Sequence, residues 1–130
     1  MVIDSSALAA ILFGEPERRQ FIEAIDSADA RLLSVANWIE ISIVVEARSG
    51  PEGVRDLERF MDLADIELVP VDAQQARVAF DAWVRFGKGR HRAALNFGDC
   101  FAYALAKAAG HVLLFKGADF AHTDLVAAAG

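Results

Sequence analysis

Cysteine, basic residues and long apolar runs are scarce in this 130-residue sequence, and each scarcity excludes something. Cys100 is the only cysteine, so no intrachain disulfide can form. No apolar run approaches the roughly 18 residues that a membrane-spanning helix requires. The first ten residues lack the basic start of a secretory signal, so we expect a cytoplasmic location. The net charge of −6 argues against nonspecific electrostatic binding to nucleic acid.

Hydrophobic residues, in contrast, make up 55% of the chain, which is enough to fill a sizeable core. A chain of this length fits one compact domain, so we expect a single domain over residues 1–130. Trp38 and Trp83 stand at helical spacing among apolar residues, which predicts that both pack into the core.

The apolar pattern alternates between short strands and helices. Strands are predicted at residues 1–4, 31–35, 66–71, 111–116 and 125–129. Helices are predicted at residues 6–14, 15–28, 36–50, 51–65, 72–87 and 98–110, and residues 88–97 and 117–124 are predicted loops. This alternation is typical of an α/β domain with a central, mostly parallel sheet and helices on both faces.

Three aspartates stand where such a sheet would place a site, outside the carboxyl ends of the strands. Asp4 ends the first strand, Asp99 opens a helix, and Asp119 lies just beyond the strand at 111–116. Each also has a local interpretation, since Asp4 and Asp99 could be helix N-caps and Asp119 could serve a turn. Their joint placement predicts one acidic site.

Glu40 adds a fourth carboxylate from a largely apolar helix face that it shares with Ala36, Asn37, Ile43 and Val44. Glutamate is rarely buried without a partner, although a surface glutamate that reaches water is the alternative. Four neighbouring carboxylates repel one another and need a cation. Oxygen ligands without clustered His or Cys suit Mg²⁺ or Mn²⁺ and disfavour Zn²⁺.

Four stretches stand in an order and spacing that extend over essentially the whole chain. They are "VIDSSALAAIL" at residues 2–12, "NWIEIS" around Glu40, "NFGDCFAYALAK" at residues 96–107 and "LLFKGADFAHTD" at residues 113–124. In these stretches the chain resembles VapC-type toxins of the PIN-domain ribonuclease family. The resemblance implies a three-layer α/β/α fold, a Mg²⁺-dependent endoribonuclease, a small antitoxin as partner and frequent dimerisation.

The resemblance also implies which residues form the site. The acidic set would be Asp4, Glu40, Asp99 and Asp119, with Thr123 and Asp124 as accessory members. We expect Asp4 and Asp99 to bind metal directly. Glu40 and Asp119 are expected to bind metal through water, orient the nucleophile or hold a second ion, so one-metal and two-metal mechanisms both stay open.

The segment "RFGKGRHR" places four cations shortly before Asp99: Arg85, Lys88, Arg90 and Arg92. In a ribonuclease these side chains would contact RNA phosphates on the rim of the acidic pocket. The alternative is a solvated loop without a role in binding.

Two other classes of protein compete with the nuclease interpretation. A noncatalytic module could use the same acidic pocket only to bind a basic partner peptide. A Mg²⁺-dependent phosphatase or phosphate-accepting receiver would also contain carboxylates. The phosphatase would require Asp-x-Asp after the first strand, but Ser5 and Ser6 follow Asp4. The receiver would require an aspartate acceptor after a central strand, where Asp72 has the position of a helix cap.

Overall fold

The computed structural model of the chain describes residues 1–128. Its elements in chain order are β1 (Val2–Ile3), α1 (Ser5–Leu12), α2 (Arg18–Ser27), β2 (Leu32–Ser34), α3 (Val35–Leu63), β3 (Glu67–Val69), α4 (Ala73–Phe86), α5 (Phe97–Ala109), β4 (Leu113–Leu114) and a 3₁₀ helix (Asp119–His122).

The four strands form one parallel sheet in the order β3-β2-β1-β4. In the register, Val2 of the inner strand β1 is paired with both Leu32 and Leu113. The predicted α/β class with a central parallel sheet is therefore confirmed. Because β1 is an inner strand, the residue that follows it lies in the middle of the sheet's carboxyl edge.

Successive residues of each short strand face opposite sides of the sheet, because side chains alternate along a strand. Ile3 and Leu33 pack with α1, α2 and α3, whereas Val2 and Leu113 pack with α4 and α5. The two cores give three layers, with helices on both faces of the sheet, as the sequence predicts. The adjacent strands β1 and β4 are fully apolar and buried, which agrees with a parallel sheet covered on each side.

Helix α3 is kinked where two helices are predicted. Gly50 has φ 66° and ψ −159° inside the element, and Pro51 begins the second half. Glycine adopts this positive φ without steric cost, and proline is tolerated in a first helical turn. Although α3 extends over 29 residues, neither it nor another helix within residues 1–128 is apolar and long enough to cross a membrane.

The structure departs from the prediction at the last strand, at the loop after β4 and at the start of α2. The predicted strand at 125–129 is reduced to one bridge between Leu113 and Ala127, and residue 129 lies outside the described residues. Its alanines offer little side-chain surface for pairing with a two-residue strand. The loop predicted at 117–124 contains the 3₁₀ helix. Helix α2 begins at Arg18 instead of residue 15, so Pro16 precedes its first turn.

Candidate active site

The four predicted acidic residues line one cavity of about 320 Å³. Asp4 comes from the end of β1, Glu40 from α3, Asp99 from the first turn of α5, and Asp119 from the 3₁₀ helix beyond β4. Residues that are far apart in the sequence thus meet at the carboxyl edge of the sheet. This edge is the usual location of ligand sites in open α/β sheets.

Asp4 is the most deeply buried of the four, with 2% of its surface exposed. Its Oδ2 accepts a hydrogen bond from the Ser6 amide at 3.0 Å and so caps α1. Its Oδ1 is buried and has no hydrogen-bond partner within residues 1–128. Burial, reinforced by the charges of Asp99 and Glu40, raises the pKa of Asp4 to about 7.

Asp99 both caps a helix and lines the cavity. Helix α5 begins at Phe97, and its N-cap is Asn96 instead of Asp99. Asn96 and Asp99 form a capping box. The backbone N–H of Asn96 donates to Asp99 Oδ2 at 3.0 Å, and the backbone N–H of Asp99 donates to Asn96 Oδ1 at 2.9 Å. Burial, with the charges of Asp119 and Glu40, raises the pKa of Asp99 to about 6.

Glu40 is half-buried and is held by Ser5 and Asn37, two side chains to which no role is assigned from the sequence. Its Oε1 accepts hydrogen bonds from Ser5 Oγ and from Asn37 Nδ2, the latter at 3.4 Å. The buried Asn37 also donates to the Gly98 carbonyl at 3.0 Å, which joins α3 to α5. A Cβ atom added at Gly98 would lie 2.7 Å from Glu40 Cδ, so an alanine here would require the Glu40 carboxylate to leave the position that Ser5 and Asn37 hold. A signal for Asn37 was its place three residues before Glu40, on the same helix face.

Asp119 is the exposed member of the acidic set. It is the first residue of the 3₁₀ helix. The second residue, Phe120, is buried and packs against Phe115 with ring centroids 5.1 Å apart. Phe120 thereby fixes the turn that carries Asp119 to the cavity. Lys116, which the sequence analysis did not single out, lines the same cavity.

The two accessory residues do not line this cavity. Thr123 Oγ1 donates to the Phe120 carbonyl at 2.7 Å, which closes the 3₁₀ helix. Asp124 accepts a hydrogen bond from Tyr103 Oη at 2.7 Å and forms an ion pair with Lys107 at 2.7 Å. Asp124 thereby links the segment after β4 to α5.

The four predicted RNA contacts divide into two groups. Arg85 forms ion pairs with Asp81 at 3.6 Å and with Asp124 at 3.8 Å. Lys88, Arg90 and Arg92 are exposed and form no ion pair with any residue in the range 1–128. We name the last three the basic loop; they remain available to bind an anion.

An apolar groove of about 360 Å³ lies between α4 and α5, beside the site. It is lined by Ala76, Ala79, Phe80, Trp83, Phe97, Cys100 and Phe101, and we name it the α4–α5 groove. Phe80 is 68% exposed and Phe97 78% exposed. The prediction that Trp83 packs into the core is wrong, since 37% of it is exposed and Arg90 lies over its ring at 4.4 Å.

The acidic cavity has the chemistry of a site for a hard divalent cation. Carboxylate oxygens are the donors that Mg²⁺ and Mn²⁺ prefer, and the partnerless Asp4 Oδ1 is a buried acceptor that a cation would satisfy. Within residues 1–128, no three His, Cys, Asp or Glu side chains already stand as a complete ligand set. Cation binding would therefore draw the carboxylates closer together.

Comparisons with known proteins agree with this geometry. The family model described as PIN domain matches residues 1–126. Ribonuclease VapC30 of Mycobacterium tuberculosis is 50% identical to the chain over 129 residues, which are 99% of this chain and 98% of that protein.

Solved structures resemble the chain as well. The M. tuberculosis VapC20 structure, described as a Sarcin-Ricin loop cleaving toxin, has a TM-score of 0.77 at 17% identity, covering 96% of this chain and 95% of that one. A toxin-antitoxin complex from Klebsiella pneumoniae has a TM-score of 0.71 at 17% identity, covering 95% and 92%. At such identities the likeness establishes the three-layer fold.

Proposed function

Because the chain belongs to the PIN-domain family, among its VapC ribonucleases, we propose that it is a metal-dependent endoribonuclease and the toxin of a toxin–antitoxin pair. The observation that carries this proposal is the gathering of four carboxylates in one cavity, with the buried Asp4 Oδ1 left without a partner. A cytoplasmic location belongs to the same proposal.

The roles of the acidic residues follow from their burial. Bound Mg²⁺ or Mn²⁺ supplies the charge that neutralises a phosphodiester and lowers the pKa of water. Asp4 and Asp99 would hold the ion, because each has one oxygen fixed by a backbone amide and one left over. Glu40, fixed by Ser5 and Asn37, would orient the attacking water, and the exposed Asp119 would complete the charge of the site.

The reaction is a hydrolysis. The water oxygen attacks phosphorus, the bond between phosphorus and the 3′-oxygen breaks, and that oxygen leaves with a proton. The products are a 5′-phosphate and a 3′-hydroxyl. Phosphates that flank the cleaved bond would contact the basic loop, whose three cations lack acidic partners within residues 1–128.

Two protein partners belong to the proposal. The antitoxin would insert a basic side chain, best an arginine, among the four carboxylates, since guanidinium pairs bidentately with carboxylate and replaces the charge of a metal. A complex in which the antitoxin never approaches Asp4 or Asp99 would contradict this arrangement. A second copy of the chain would cover the exposed aromatics of the α4–α5 groove, since exposed apolar patches commonly mark interfaces and closed two-fold dimers are the commonest assembly.

The test is an RNA cleavage assay with mapped product ends. We expect cleavage with Mg²⁺ or Mn²⁺, none with EDTA, and 5′-phosphate ends; Asp4→Asn should abolish cleavage. Cyclic 2′,3′-phosphate ends or full activity in EDTA would contradict the mechanism. A protein that binds a basic antitoxin peptide but cleaves no RNA would instead be the noncatalytic binding module.

A further inference from the structure

Lys116 is a cation inside an otherwise acidic cavity. It follows β4, and its backbone amide donates to Ser6 Oγ at 3.0 Å, which anchors it beside the first turn of α1. Within residues 1–128 it is the only basic residue that lines the cavity of the four carboxylates. About one third of its side chain is exposed, at 33%. The sequence motifs and the proposed chemistry assign it no role.

Two glutamates hold the Lys116 ammonium away from the four site carboxylates. Its Nζ lies 2.6 Å from Glu15 Oε2 and 3.6 Å from Glu17 Oε2, both just before α2. It forms no ion pair with Asp4, Glu40, Asp99 or Asp119. The hydrogen bond with Glu15 is the main reason that the pKa of Lys116 is raised above its usual range, so the side chain stays charged.

We propose that Lys116 binds a phosphate of the RNA substrate next to the cleaved one, with Glu15 and Glu17 as its positioning residues. This inference rests on the proposed ribonuclease function and names a substrate contact for it. An ammonium group has three donors, and Glu15 accepts the one hydrogen bond that Lys116 Nζ donates within residues 1–128, so donors are left for a phosphate oxygen. Successive phosphates follow one another along an RNA chain. One phosphate can therefore lie beside the four carboxylates and their metal while the next one contacts the Lys116 ammonium.

The glutamate pair explains how a lysine can be present in this cavity without competing with the metal. A free ammonium group would pair with Asp4 or Asp99 and take the place of the divalent cation. Ion pairs with Glu15 and Glu17 prevent this and fix the ammonium at one position before substrate arrives. Such preorganisation lowers the entropic cost of binding. The basic loop has no comparable clamp.

The first test compares three variants on a single-stranded RNA oligonucleotide with one mapped cleavage site. Lys116→Met should raise KM roughly tenfold with a smaller change in kcat, as for the loss of one charged hydrogen bond. The plot of log(kcat/KM) against log salt has a negative slope, and in the variant this slope should be shallower by about 0.7, the value for one phosphate contact on a single strand. Lys116→Arg should restore most of both. Arg55→Gln removes one charge from an exposed residue of α3 beyond Gly50 that does not line the cavity, and it should change neither.

The second test identifies the phosphate. Oligonucleotides with one neutral methylphosphonate linkage are prepared for each phosphate that flanks the cleavage site. One of them should weaken the parent by the same roughly tenfold factor and should weaken Lys116→Met no further, because the contact is already lost. Independent, additive losses at every flanking position would overturn the proposal.

Glu15→Gln separates binding from a merely structural ion pair. If Lys116 only fastens β4 to the turn before α2, then Lys116→Met and Glu15→Gln will both lower the melting temperature. Both will then leave KM and the salt slope unchanged, which would refute this inference alone. A parent protein that cleaves no RNA with Mg²⁺ would refute the proposed function, and this inference with it.

Discussion

Asp99→Asn removes one negative charge from the site and keeps a side chain that can accept the Asn96 amide in the capping box. If Asp99 holds metal, the variant should lose RNA cleavage. In EDTA it should nevertheless be at least as stable as the parent, because a neutral side chain avoids the cost of burying a charge and relieves the repulsion from Asp119 and Glu40. The substitution thus moves activity and stability in opposite directions.

The size of the effect follows from the pKa of Asp99. Its rise from 3.8 to about 6 corresponds to about 3 kcal/mol at most, at about 1.4 kcal/mol per unit. Because the side chain is partly exposed, we expect about 1 kcal/mol after solvent screening. Because the pKa of Asp99 is raised in the folded state, its protonated carboxyl stabilises the parent fully below pH 3.8. The parent loses this contribution as pH rises through about 6. The advantage of the variant should therefore be full at about pH 8 and absent at about pH 4.

Thermal melts with EDTA and with Mg²⁺ measure both parts of this prediction. One kcal/mol corresponds to about 3 °C for a domain of this size. Mg²⁺ at about 100 times its Kd should stabilise the parent by about 2.7 kcal/mol and the variant by less. The matched control is Asp72→Asn, which also removes one negative charge from a helix cap. Asp72 caps α4 by accepting a hydrogen bond from the backbone N–H of Gln75 at 2.8 Å, and it does not line the cavity. It should leave cleavage and the Mg²⁺ response unchanged.

Two results would refute the reasoning. An Asp99→Asn protein that still cleaves RNA, with an unaltered Mg²⁺ response, would show that Asp99 only caps α5. A variant that is clearly less stable than the parent at about pH 8 in EDTA would show that a charged carboxylate at this position costs the fold little.

Three further outcomes are expected. The apparent affinity for Mg²⁺ should rise between about pH 5.5 and pH 8 in thermal-shift titrations, because Asp4, with a pKa of about 7, must lose its proton to bind metal; a flat profile would contradict this. Gly98→Ala should lower stability by about 1–3 kcal/mol in urea melts and impair cleavage, because the new Cβ presses on Glu40, although alanine normally favours a helix. Phe80→Ser should weaken dimerisation in sedimentation experiments, and a parent that is monomeric at micromolar concentration would contradict the dimer.

The fold could be predicted because its signals are local. Apolar strands that alternate with amphipathic helices define the parallel sheet, and Asp72 and Gly110 mark the start of α4 and the end of α5 as expected. The start of α5 was displaced because Asn96 and Asp99 form the capping box together, and the pattern Asn-x-x-Asp departs from its usual Ser/Thr-x-x-Glu form. Trp83 was misplaced because the helical period shows that a face is apolar, not whether another element covers it.

The hydrogen-bonding environment of the site could not be predicted in the same way. Ser5 and Glu40 are 35 residues apart, Asn37 and Gly98 61 residues, and Lys116 and Glu15 101 residues, so only the folded topology brings these pairs together. The motif identifies the carboxylates, whereas their hydrogen-bond partners are chosen by the packing of helices against the sheet.

The capping bonds of Asp4 and Asp99 have a consequence for ion selectivity. Each carboxylate accepts a backbone hydrogen bond at Oδ2, so Oδ1 is the oxygen that each has free for a metal, which favours monodentate binding. Ca²⁺ takes six to eight oxygens and often binds carboxylates through both, whereas Mg²⁺ takes one oxygen from each carboxylate and retains several waters. Ca²⁺ should therefore raise the melting temperature less than Mg²⁺ at equal concentration. The bonds that start two helices thereby limit the denticity of the site and favour the smaller ion.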